Sequence, residues 1–177
     1  GKSNFLDSLR FCSDSLRSSL DHALRDRGTI KEVRRRSGGH PNHFALRFDF
    51  ELPNGSVGHY AFSVAAKSGG AYEVKDEECQ IFSSTSDFQS DHYRVNSGQL
   101  ISSSVPQMPA IVPDRLFLVA ASGIPAFRPV FDALSRIEVY NLNPREIAAM
   151  QKPDPGEILR RDGSNAASVF DRATPKI

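Results

Sequence analysis

Between His43 and Leu52 every second residue is large and apolar. Phe44, Leu46, Phe48, Phe50 and Leu52 share one parity, and Ala45, Arg47, Asp49 and Glu51 hold the other. A period of two puts the two sets on opposite faces of an extended chain, so the segment reads as a strand with one face in a core and one in water. Pro53-Asn54-Gly55 supplies turn chemistry, and Gly58 to Ala66 repeats the alternation through Tyr60, Phe62 and Val64. Ser68-Gly69-Gly70 is a second turn. Tyr72 and Val74 open a third strand, which Cys79 to Phe82 continue. After a polar loop from Ser83 to Ser90, His92–Val95 and Leu100–Ser103 flank Asn96-Ser97-Gly98 as one more short hairpin. Together these predict an antiparallel meander with one buried and one wet face.

The composition agrees with a packed core. The chain has 177 residues, of which 39% are hydrophobic and 24% charged, enough for one domain and too balanced for a disordered chain. A net charge of +1 excludes a molecule that is a polycation as a whole, although a local basic patch remains open. The longest apolar run, Leu116 to Ala121, is far short of a membrane span. No charged-then-apolar leader pattern opens the sequence, and Cys12 and Cys79 form neither a disulfide framework nor a CxxC metal site. The expectation is a cytoplasmic protein with two reduced, packed thiols and no membrane partner.

Ahead of the meander, Phe5, Leu6, Leu9, Cys12, Leu16, Leu20, Ala23 and Leu24 recur at three- and four-residue steps. They predict one amphipathic helix of about six turns, stopped at Gly28. Its other face alternates acid and base: Asp7 with Arg10, Asp14 with Arg17, Asp21 with Arg25. Gly1-Lys2-Ser3 then stands at a helix N-terminus, where unpaired N–H groups and the positive dipole end favour phosphate. A Lys there can reach β- and γ-phosphates, and a Ser hydroxyl can ligate Mg²⁺. The tripeptide matches the last third of a GxxxxGK[ST] phosphate loop; the alternative is an ordinary exposed helix start.

Arg25, Arg27, Lys31, Arg34, Arg35 and Arg36 make a basic stretch against Asp26 and Glu32. A solvated loop is the default, and Arg34, Arg35 and Arg36 are the candidates for a contact to DNA phosphates, nucleotide or an acidic partner. Tyr60, Phe62 and Tyr72 read as core at their spacing, with a base-stacking platform as the rival. His40-x-x-His43 has no third ligand at metal spacing, and no GxSxG elbow occurs.

Towards the C-terminus, Ser102 to Pro113 is a linker. Asp114 to Ala121 reads as a helix capped by Asp114 and stopped at Gly123, with a buried strand as the alternative. A helix from about Phe127 to Arg136 points Phe127, Val130, Phe131 and Leu134 inward. Ile137 to Leu142 reads as a strand, Asn143-Pro144-Arg145-Glu146 as a helix start running to about Gln151, and Asp162-Gly163-Ser164-Asn165 as a turn into a last helix through Phe170.

Gly1-Lys2-Ser3-Asn4-Phe5-Leu6-Asp7 resembles the GKSN-x-L-[DE] run that ends the Walker A motif in ABC-type ATPases of the RecF, SMC and OLD kind. Arg115–Ser122, Phe127–Val130, Tyr140–Pro144 and Asp162–Ser168 are similar to stretches of bacterial predicted ATPases of that group, so the likeness spans essentially the whole chain. It implies an α/β fold: a partial P-loop NTPase of ABC-ATPase type, with a first helix (1–27), an antiparallel β subdomain (28–104) and a mainly helical segment (105–177). It implies ATP and Mg²⁺ as cofactors and nucleotide contacts from Gly1, Lys2, Ser3 and Asn4. Ser3 would ligate Mg²⁺, and Gln151 loosely matches a Q-loop glutamine that touches the metal. The signature motif, the Walker B acids and the switch His of that group have no match here. The expectation is therefore a portion of a longer ATPase, cut at both ends, whose heads pair as homodimers around ATP in a DNA-related process. The alternative is a non-catalytic nucleic-acid-binding or scaffold module that uses the basic loop and the meander.

Overall fold

The computed structural model describes residues 2–34, 43–83 and 90–174, with Lys2, Ser3, Lys31 and Arg34 described for their backbone alone. The chain divides into two compact units, Gly1–Ile137 and Glu138–Ile177.

In the first unit the alternating segments form five strands: β1 (His43–Glu51), β2 (Val57–Ala66), β3 (Tyr72–Phe82), β4 (Ser90–Asn96) and β5 (Gln99–Ser103). They lie in one sheet in chain order, and each neighbouring pair is antiparallel. This is the predicted meander, part of an α/β architecture. The β4–β5 turn is two residues long, and both Ser97 (φ 46°) and Gly98 (φ 76°) have positive φ, the backbone that matches the twist of a tight hairpin. Gly58 faces Gln80 so closely that a Cβ there would sit 2.0 Å from the Gln80 carbonyl oxygen, so only glycine lets β2 and β3 approach at that point.

One face of the sheet packs on helices. The helical N-terminus is three pieces, not one: α1 (Lys2–Arg17), α2 (Leu20–Arg25) and α3 (Thr29–Arg34). The apolar stripe runs on across the break, but serine chemistry interrupts the backbone. Ser18 Oγ donates to the Asp14 carbonyl at 2.7 Å, and Ser19 Oγ accepts from the His22 N–H at 3.0 Å as the cap of α2. Phe5 and Leu6 at the start of the expected stripe are exposed, whereas Cys12, Leu16, Leu20, Ala23 and Leu24 are buried as the periodicity requires, with Phe11 beside them. They meet Tyr60, Phe62, Val64, Cys79, Tyr93 and Val95 from the sheet. Phe11 contacts Phe44 edge-on at 5.5 Å and Phe62 at 6.4 Å between ring centroids. On the edge strand β1 the phenylalanine face is only half-buried.

The segment after the linker is helical: α4 (Phe117–Ala121), followed by α5 (Arg128–Ser135). Ser13 Oγ of α1 donates to the Ser135 carbonyl of α5 at 2.9 Å. Asp114 is not the cap of α4. That position belongs to Leu116, which has no side-chain acceptor to offer. The acceptor comes from the sheet. Glu77, only 1% exposed, takes the N–H of Phe117 (2.6 Å) and of Leu118 (2.7 Å) on its two carboxylate oxygens. The hydroxyls of Tyr60 (3.0 Å) and Tyr93 (2.9 Å) also donate to it. Four donors from β2, β4 and α4 thus converge on one carboxylate of β3.

In the second unit, the strand expected at Ile137–Leu142 does not form. Asn141 and Asn143 donate to the backbone carbonyls of Arg161 and Asp162, both at 2.9 Å, without forming a ladder, and Tyr140 and Leu142 lie 41% and 50% exposed. Apolar alternation without a ladder partner leaves an extended segment. α6 (Pro144–Ala148) starts as predicted, with Asn143 Oδ1 accepting from the Arg145 N–H at 3.1 Å, and ends short of Gln151. α7 (Ala166–Ala173) follows the Asp162–Asn165 turn. Buried Asn165 joins that turn together: its amide donates to Asp154 Oδ1 and the Ile158 carbonyl, both at 2.9 Å, and its oxygen accepts from the Arg160 N–H at 2.7 Å.

Burial outweighs the four hydrogen bonds and pushes the Glu77 carboxyl up from 4.5 to about 7. The folded chain therefore binds a proton at Glu77 more tightly than the unfolded chain. The stability this contributes is complete below about pH 4.5 and is lost as pH rises through about 7. Urea midpoints should fall across that window in the parent and stay flatter in Glu77→Gln. At low pH the variant should be less stable by about 1–3 kcal/mol, because an amide N–H₂ faces existing donors. A parent curve flat across the window would refute this role.

Candidate phosphate-binding site at the start of the first helix

Helix α1 is described from Lys2 onward, so the backbone of Lys2, Ser3 and Asn4 is helical. The helix is 16 residues long with no acid in its first turn, leaving the positive end of its dipole uncompensated by its own side chains. Gly1 lies outside the described residues, and of Lys2 and Ser3 only the backbone is described. Asn4 is exposed and lines a pocket of about 180 Å³ with Asp7, Ser8, Phe11, Arg27 and Phe44.

Arg27 accounts for the charge in this corner. Its side chain is 13% exposed and pairs with Asp7 at 3.2 Å and Asp14 at 3.3 Å. It also donates to the Ala23 carbonyl at 3.1 Å and stands 5.3 Å from the centre of the Phe11 ring. The sequence alone had put it in a solvated basic loop. Of the three helical-neighbour pairs expected, Asp21–Arg25 forms at 2.9 Å, whereas Asp7 is drawn across to Arg27. The carboxylate nearest the helix start thus has its countercharge inside the fold, which keeps its field from opposing an anion.

The other candidates are distributed elsewhere. Gln151 lies in the second unit, and its amide is engaged throughout. Nε2 donates to the carbonyls of Glu146 (3.2 Å), Ile147 (3.1 Å) and Gly163 (3.2 Å), and Oε1 accepts from the Ala167 N–H at 2.9 Å. These bonds tie α6, the Gly163 turn and the start of α7, so the oxygen a metal would take serves the fold. The backbone of Arg34 ends α3, while Arg35 and Arg36 lie outside the described residues, as does His40. His43 opens β1 as an exposed side chain. The base-stacking platform is overturned: Tyr60 is 0% and Phe62 2% exposed, facing the helices, and Tyr72 is half-buried. Among the described residues, no group of three or more His, Cys, Asp or Glu could hold a metal ion, and no helix is long and apolar enough to cross a membrane. Cys12 and Cys79 are buried thiols, with burial as the main cause that raises both pKa values and keeps them protonated.

No protein-family model matches the chain, and no curated protein and no solved structure matches it.

Sequence reasoning missed Arg27 and Glu77. Arg27 carried one signal, since it follows the apolar stripe of the helix by three residues, where a cation folds back on the preceding turn. Arg27→Ala should lower unfolding free energy by about 1–3 kcal/mol, checked by urea denaturation, because it leaves Asp7 and Asp14 without this partner and uncovers Phe11. A loss below about 0.3 kcal/mol would show the cation to be an ordinary surface charge.

Proposed function

We propose that the chain carries the end of a Walker A phosphate loop and the helix behind it, as part of an ABC-type ATPase head. The observation that supports this most directly is the helical backbone of Lys2, Ser3 and Asn4, with no acid in that turn of α1. Backbone N–H groups of that turn would bind phosphoryl oxygens, and the Lys2 ammonium would neutralise charge on the β- and γ-phosphates. The Ser3 hydroxyl would hold Mg²⁺, which supplies charge neutralisation between the phosphates. Gly1 and Asn4 would complete the cradle.

Resemblance of the GKSN run and of the later segments to RecF-, SMC- and OLD-like ATPases adds support, and with it the proposal of paired heads acting on DNA. No run in this sequence matches the Walker B acids of that family, so no catalytic acid is assigned among these residues. Positioning and charge stabilisation are what these residues offer.

ATP hydrolysis by the intact protein tests the assignment. Lys2→Ala should reduce turnover at least about a hundredfold, by loss of a charge contact made to the transferring phosphoryl group. Equal turnover in parent and variant rejects it.

A further inference from the structure

The outward face of the sheet holds a hollow of about 480 Å³, on the side away from the helices. Its floor is made by short side chains: Ala61 of β2 stands across from Arg47, and Ala45 of β1 across from Ser63. The neighbouring outward positions carry Arg47, Lys75, Asp76, Glu78 and Arg94, which form the walls. Two alanines between long polar side chains leave a depression in an otherwise even face.

Lys75 reaches this face through a β-bulge. The register passes from Ser63↔Asp76 to Val64↔Val74, so Lys75 has no partner in β2. Buried Val74 and Glu77 bracket it, leaving Lys75 and Asp76 both on the outer side. A second register shift, between Arg94 and Val95, adjoins Arg94 on β4.

The charges in the hollow are unevenly satisfied. Asp76 accepts from Asn96 Nδ2 at 2.6 Å and Ser63 Oγ at 3.3 Å. Glu78 is 3.1 Å from His59 Nε2 and 4.0 Å from Arg47, whose guanidinium also holds Asp49 at 3.0 Å. Among the described residues, the exposed side chains of Arg94 and Lys75 make no hydrogen bond or ion pair. Arg47 and the carboxylates Asp49, Asp76 and Glu78 already have partners, which leaves Arg94 and Lys75 as two unspent cationic donors.

We propose that this hollow binds a small phosphate monoester, its phosphoryl group held by Arg94 and Lys75 and its organic part resting on Ala45 and Ala61. A phosphate monoester carries about −1.5 to −2 charges at neutral pH, so it suits two cations better than a singly charged carboxylate ligand does. The volume lies within the range of about 300–1,000 Å³ typical of small-molecule sites. A nucleic-acid strand fits less well, because Asp49 and Glu51 on the same face of β1 would oppose a continuous line of phosphates.

Calorimetric titration of the intact protein with phenyl phosphate, and with inorganic phosphate for comparison, tests the site. In the Lys2→Ala background, which removes the phosphate contact proposed at α1, one saturable site is expected, with phenyl phosphate the tighter ligand. Arg94→Ala and Lys75→Ala should each weaken it about tenfold or more, and the double variant should abolish it. Lys2→Ala should leave it unchanged, which separates this site from the start of α1. Arg94→Gln and Lys75→Gln, at exposed positions with unchanged melting, give the second measurement. No saturable binding at millimolar concentration overturns the proposal. So does binding that, in the Lys2→Ala background, survives the double variant or is absent altogether. Displacement by single-stranded oligonucleotide with a steep salt dependence would also overturn it, in favour of a nucleic-acid surface.

Discussion

A single carboxylate organises the first unit. Helix α4 has five residues, and its Leu116 cap carries no acceptor, so its first N–H groups would be orphaned in an apolar interior. An unmade hydrogen bond there costs about 1–3 kcal/mol. Glu77 accepts two of them, and with Tyr60 and Tyr93 as further donors it joins β2, β3, β4 and α4 at one point. The same burial that makes the carboxylate useful raises its proton affinity and that of the two phenols and two thiols around it, so the cluster is held by geometry against the cost of desolvation. Removing Glu77 leaves all four donors without this acceptor, which is why the sheet and the helical layer act together.

Strand periodicity made most of the sheet legible. Phe44, Leu46, Phe48 and Phe50 specify a face, and Asn54-Gly55 and Ser97-Gly98 specify turns, because both signals act over two to five residues. The features that were not legible all depend on partners distant in sequence. A stripe continuous through Leu16, Leu20 and Leu24 cannot reveal that Ser18 and Ser19 will satisfy the backbone differently. Tyr140 and Leu142 have the composition of a strand, but a strand needs a neighbour with free ladder groups, and the chain offers only two backbone carbonyls there. Asp162-Gly163-Ser164-Asn165 was legible as a turn, yet its central role passes to Asn165, whose amide meets Asp154 and Ile158 only once the fold exists.

At the start of α1 the sequence indicated a place, and the fold adds the electrostatics around it. Lys2 and Ser3 could be assigned to the first helix from its periodicity. Arg27 is twenty residues beyond Asp7, and only the turn at Gly28 and Thr29, both with positive φ, sends the chain back towards the sheet after α2. A largely covered guanidinium that spans two carboxylates and a ring removes negative charge from the helix flank without adding a fully exposed cation. The Gln151 amide shows the opposite outcome: the residue suited to metal contact by type is the one whose four bonds build its own unit.

The bulge at Lys75 links the two faces of the sheet. Strand parity is two, so Val74 and Glu77, three residues apart, cannot both point inward in a regular strand. One extra residue between them corrects the parity. It lets Val74 pack opposite Val64 while Glu77 stands opposite Phe62 in reach of Tyr60, Tyr93 and α4. The residues displaced by that correction, Lys75 and Asp76, are forced outward side by side, where they wall the hollow floored by Ala45 and Ala61. The inward acid and the outward cation are thus two consequences of one insertion. A strand with a residue fewer at this point would surrender either the cap of α4 or the charge on the outer face, since a slip of one position exchanges the faces of everything beyond it.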